Sequence, residues 1–131
     1  MGEFTVTRML TAPRERVWQV LTQAPYFERW LPAKRGTALL DVRSGGSWQA
    51  TVVSEDGVEI PLTGRYDDVR EPERLVMTIP GDAVTEITLA ATGDTTEIAY
   101  TFDVPEDMHG VVEASVDNVL GKVSQALAEL G

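Results

Sequence analysis

The stretch His109-Gly110-Val111-Val112-Glu113-Ala114-Ser115-Val116-Asp117-Asn118-Val119-Leu120-Gly121-Lys122-Val123-Ser124-Gln125-Ala126-Leu127-Ala128-Glu129-Leu130 decides how this chain folds. Val112, Val116, Val119, Leu120, Val123, Leu127 and Leu130 recur every three or four residues, the period of one helix face. That spacing predicts an amphipathic helix of about 24 residues and ~36 Å. Valine is a mediocre helix former, and Gly110 and Gly121 weaken the helix further, so tertiary packing has to hold it. The only partner of that length in the rest of the chain is the apolar face of a sheet.

That sheet is written between about Gly36 and Phe102. Trp48, Ala50 and Val52 alternate with Gln49, Thr51 and Val53. Val58, Ile60, Leu62 and Tyr66 then share one parity, followed by Leu75, Met77 and Ile79. Ile87, Leu89 and Ala91 precede Gly93-Asp94, and Ile98, Tyr100 and Phe102 follow it. Apolar and polar residues in alternation mark strands with one wet face, and Asp56-Gly57 is a strong short hairpin signal. Consecutive strands joined by short turns make an antiparallel meander. Ahead of them, Phe4, Val6, Arg8 and Leu10 share one face of a first strand. Pro13 suits the first position of a helix carrying Val17, Trp18 and Leu21. Ala24-Pro25 is expected to end that helix, and Tyr26, Phe27 and Trp30 indicate a short second one closed by Leu31-Pro32.

The expected architecture is therefore α+β: a curved antiparallel sheet of six to seven strands around a long C-terminal helix, with two short helices after the first strand. At 131 residues the chain fits one domain, 1–131, with no repeat or linker-like stretch. A net charge of −10 and no compact basic cluster argue against nucleic acid and membrane surfaces as partners. Without cysteine there is no disulfide, thiolate metal site or thiol nucleophile, and a cytoplasmic setting is the simplest reading. No apolar run approaches the ~20 residues of a membrane span. One histidine, with no ligand spacing around it, suggests no metal and no cofactor.

Arg8-Met9-Leu10-Thr11-Ala12-Pro13-Arg14-Glu15-Arg16-Val17-Trp18 resembles the opening of the START-like (SRPBCC, helix-grip) superfamily, in the branch of heat-shock-protein-90 ATPase activator homologues. Asp41-Val42-Arg43-Ser44-Gly45-Gly46-Ser47-Trp48, then Gly64-Arg65-Tyr66 through Val69 and Glu71-Pro72-Glu73-Arg74-Leu75-Val76, resemble further motifs of that branch in the same order. The C-terminal segment departs from it, since Lys122 follows Gly121 where the branch often carries a Gly-Trp pair. The resemblance implies a helix-grip fold with an internal cavity. Relatives include lipid carriers, polyketide cyclases and aromatases, and co-chaperone domains.

Candidate ligand-binding residues follow from inward parity: Trp18, Trp30, Trp48, Tyr66, Met77, Tyr100, Phe102, Val112, Val116 and Arg8. Aromatics present large contact area to a flat or lipidic molecule. The same residues would equally fill a solid core; the resemblance favours a cavity. Arg8, Asp68 and His109 are polar residues on or near apolar stripes, and an Arg8–Asp68 pair is one way to satisfy two charges there. Asp41 and Arg43 share a face and are placed to pair at the surface. The expected function is binding of a small hydrophobic or aromatic molecule, and a homodimer is compatible with it. An acid–base enzyme of the cyclase type would draw on His109, Asp68, Tyr66 and Tyr100. A co-chaperone module is the third class.

Overall fold

In the computed structural model, which describes residues 2–31, 33–79 and 83–130, the chain opens with strand Gly2–Leu10 (β1) and two short helices, Arg14–Thr22 (α1) and Ala24–Trp30 (α2). Strands Leu39–Leu40 (β2), Ser47–Val53 (β3), Glu59–Arg70 (β4), Arg74–Ile79 (β5), Ala83–Thr92 (β6) and Thr95–Val104 (β7) follow. A single 3-10 turn at Glu106–Met108 then leads into helix His109–Leu130 (α3), 22 residues and about 33 Å long. All seven strands pair antiparallel in the order β1-β7-β6-β5-β4-β3-β2. This is the expected α+β architecture. Among the described residues no helix is long and apolar enough to cross a membrane.

Turn chemistry sets the meander. Gly57 closes the β3–β4 hairpin at φ +81° and Gly93 the β6–β7 hairpin at φ +63°, conformations that cost a side chain dearly and glycine little. The extended Gln23 (φ −95°, ψ 133°) ends α1 and caps α2. Ala24-Pro25 therefore opens the second helix rather than closing the first, because proline is tolerated within a first turn. Likewise Pro13 caps α1 from one position outside it.

Burial follows the stripes. Val6 and Leu10 of β1, Val17, Val20 and Leu21 of α1, Phe27 of α2, and Val116, Leu120, Val123 and Leu127 of α3 are all buried. Each such side chain contributes roughly 1.5–3 kcal/mol against exposure. Ala126 joins the face that the sequence assigns to Val112, Val116, Val119, Leu120, Val123 and Leu127. The side chains of Leu130 and Ile79, and all of Pro32, lie outside the described residues.

Three placements differ from expectation. Val58 and Ile60 carry the inward parity yet are 56% and 42% exposed, because the tip of the β3–β4 hairpin is uncovered. Asp68 does not share a face with Tyr66. The β4–β5 register shifts between Tyr66, opposite Met77, and Asp68, opposite Val76, and this bulge turns Asp68 onto the outer face. There it bonds Arg74 at 2.6 Å and Arg70 at 3.2 Å, so the Arg8–Asp68 pair does not form. Arg8 instead holds Asp117 at 2.9 Å and Glu113 at 3.1 Å on α3. Asp41 and Arg43 do pair at the surface, at 2.9 Å.

The helix also does not rest directly along the sheet. Its closest backbone neighbours are α1, α2 and β1. The short helices wedge beneath its C-terminal half, where Leu127 is buried and Arg29 pairs with Glu129. Its N-terminal half bridges from β1 across the middle strands.

Candidate ligand cavity

Between that N-terminal half and the sheet lies a cavity of about 310 Å3. Met77 of β5, Thr85 and Ile87 of β6, and Tyr100 and Phe102 of β7 form its floor. Phe27, Trp30 and Leu31 at α2, with Trp48 of β3, make the wall; Ser115, Val116 and Val119 of α3 make the roof. A wider surface cleft of about 590 Å3 at the other end of α3 is bounded by Thr11, Pro13, Arg16, Asp94 and Ser124. That cleft is polar-rimmed, whereas the smaller pocket, which also opens to solvent, is lined almost wholly by apolar surface.

The void has a local cause. Strand pairing sets Met77 opposite Thr85, and Thr85 opposite Phe102, so one inward row carries a short side chain between two long ones. The wall rings hold one another: Phe27 meets Trp30 edge-on at 4.6 Å and Trp48 at 5.5 Å. Trp30 Nε1 is fixed by donating to Val20 O at 3.0 Å. Tyr100 and Phe102 lie nearly parallel at 6.2 Å. Valine in the roof is too short to reach the floor while α1 and α2 hold the helix off. Gly64 lets Trp48 lie flat on β4: a Cβ there would fall 2.4 Å from Trp48 Nε1 and 2.2 Å from Thr78 O.

Among the described residues the lining carries no Asp, Glu, Lys, Arg or His. Its polar side chains include Thr85 and Ser115; Tyr100 and Trp48 line it too, but the Tyr100 hydroxyl and the Trp48 indole N–H are closed off from it. Trp48 Nε1 and Tyr100 Oη are buried without a hydrogen-bond partner, a condition that costs about 1–3 kcal/mol per group. Burial pushes the Tyr100 phenol well above its ordinary value near 10, so it stays a neutral O–H donor.

Residues 11–130 match the model of the family described as Activator of Hsp90 ATPase homolog 1-like protein. The chain belongs to that family. No curated protein matches it. Solved structures share the fold: an AHSA1-like protein from Aeromonas hydrophila (18% identity, TM-score 0.84, covering 98% of this chain and 94% of that one). A protein from Nitrosomonas europaea is similar at 18% identity and TM-score 0.84, covering 98% and 95%. One from Chromobacterium violaceum is similar at 24% identity and TM-score 0.80, covering 96% of each chain.

Within this AHSA1-like fold, Trp30, Trp48, Met77, Tyr100, Phe102 and Val116 of the sequence-derived set line the cavity. Trp18, Tyr66, Val112 and Arg8 do not. Trp18 packs in the α1 core and donates Nε1 to Glu71 Oε1 at 3.2 Å. Tyr66 is wholly buried off the cavity, its Oη also unpartnered and its phenol likewise pushed up by burial. Val112 is half-buried against the core, and Arg8 lies on the flank. The acid–base set is not assembled either. Asp68 is on the outer face, and His109 stacks on Phe4 at 4.1 Å with an interplanar angle of 7°, outside the cavity lining. Of those four only Tyr100 reaches the cavity. Sequence parity missed Phe27, Leu31, Thr85, Ile87, Ser115 and Val119 as lining. Ile87 and Val119 stand in the apolar stripes, but Thr85 is identified only by strand register.

Proposed function

We propose that this AHSA1-like protein binds a small, largely hydrophobic molecule in the cavity between sheet and α3. The observation that carries the reading is a largely apolar pocket of about 310 Å3 that opens between α3 and the sheet, within the size range of small-molecule pockets. A pocket of that volume suits a guest the size of one or two fused rings with short substituents. Rigid aromatic walls suit a flat guest, since they contribute contact area without losing much rotamer freedom on binding. An acid–base role receives less support, because among the described residues the only titratable side chain in the lining is a phenol held protonated.

Thermal unfolding in the presence of aromatic probes tests the reading. A ligand present at 100 times its Kd stabilises by about 2.7 kcal/mol, on the order of 10 °C in Tm for a chain of this size. Val119→Phe, which places a ring in the roof, is expected to keep or raise the Tm of the free protein and abolish the ligand shift. A probe shift that survives Val119→Phe unchanged would place binding elsewhere.

A further inference from the structure

We infer that the free edge of β1 takes up an extended, basic segment of a partner protein as an eighth strand. The two edges of the sheet are finished differently. At one, β2 is only two residues long, and the chain itself serves β3: Lys34 N donates to Thr51 O at 2.6 Å, and Thr51 N donates to Thr37 Oγ1 at 3.1 Å. At the other, β1 runs nine residues, about 30 Å, in unbroken register from Gly2 opposite Val104 to Leu10 opposite Thr96. Every second residue of such a strand turns its N–H and C=O away from its neighbour. Among the described residues no backbone group outside β7 bonds β1, and the one side chain that bonds its backbone is that of Arg8, Nη1 to Thr7 O at 2.9 Å. Edges are ordinarily blunted by a bulge, a proline or short length. β1 has none of these, and main-chain pairing is what holds an added strand.

Charge names the occupant. On the outer face Glu3 lies opposite Asp103, and Met9 opposite Glu97; all three acids are exposed. On the inner face Arg8 draws Glu113 and Asp117 of α3 over the same strand, at 3.1 and 2.9 Å. Those two carboxylates remain 49% and 52% exposed. Arg8 is the one base on β1 and β7. An added strand therefore lies between two acidic rims, and successive side chains of a strand point to alternate faces. A second copy of this chain would set the same carboxylates against themselves, whereas lysines or arginines on both faces would meet them.

The probe is the nine-residue peptide Lys-Lys-Thr-Val-Lys-Lys-Thr-Val-Lys, whose lysines fall on both faces of a strand. It is titrated by amide-resolved NMR beside its counterpart with glutamate for every lysine and its counterpart with every backbone nitrogen methylated. Saturable shifts and slowed hydrogen exchange along β1 are expected with the lysine peptide alone, weakening as salt is raised. Glu3→Lys on the outer rim and Glu113→Lys on the inner are each expected to weaken it about fivefold, with the fold intact by circular dichroism. No binding, equal binding of the glutamate or the methylated peptide, or shifts centred on the acidic hairpin tip at Glu55 and Asp56 overturns the inference. So does wild-type affinity in both variants. A protein already dimeric through β1 before peptide is added would give the edge to a second copy and overturn it as well.

Discussion

Gly64 and the tyrosines show how much rests on single side chains. A methyl at position 64 would meet the carbonyl of Thr78 at 2.2 Å, and a backbone oxygen cannot rotate away as a side-chain tip can. Gly64→Ala is therefore expected to cost roughly 2–3 kcal/mol, read as a lower urea midpoint at unchanged m-value. Tyr66 and Tyr100 both carry phenols raised by desolvation above the ordinary value of 10.0. As pH rises past 10, the unfolded chain releases these protons first. The stability they contribute is thus complete below that pH and declines above it, by about 1.4 kcal/mol per pH unit for each phenol. Tyr66→Phe should halve this alkaline loss, measured by urea unfolding at pH 9, 10 and 11; parallel curves for variant and wild type would contradict the assignment. At this scale the sequence is legible only in part. Parity places Tyr100 and Trp48 inward correctly, but no local pattern reveals the bulge that turns Asp68 away from Tyr66. Nor does the sequence tell that the partners of Arg8 are Asp117 and Glu113, more than a hundred residues distant.

Among the elements, α3 is the one whose packing differs along its length. Val123 is fully buried among α1 and α2, whereas Val119 faces the cavity. Val123→Ala removes two methyl groups from close packing and leaves a hole, costing about 2 kcal/mol. Val119→Ala borders space already empty and is expected to cost less than about 1 kcal/mol. Chemical denaturation of the two variants reads this contrast, and equal losses would mean that the roof is as tightly packed as the rest of the helix. The valine and leucine spacing makes α3 readable from sequence, at about 24 residues against the 22 of the structure. Where it rests is not, because that depends on α1 and α2 acting as a wedge. Their apolar residues, Val17, Val20, Leu21 and Phe27, look like any short helix core.

For the molecule as a whole, the alternation of strands and the long final helix make the α+β architecture legible, and the Arg8–Trp18, Asp41–Trp48 and Gly64–Val76 motifs make the family so. The cavity is different. It arises from register, which sets Thr85 between Met77 and Phe102, and from a helix held above the floor, neither of which composition or periodicity encodes. The most direct measurement is a methyl-resolved NMR titration of the protein with 2-acetylnaphthalene. The account predicts saturable shifts at the methyls of Met77, Ile87, Val116 and Val119, with the buried methyls of Val17, Val20 and Ile98 unmoved. Shifts spread evenly over the core, or confined to surface methyls such as Val58 and Val111, would contradict it.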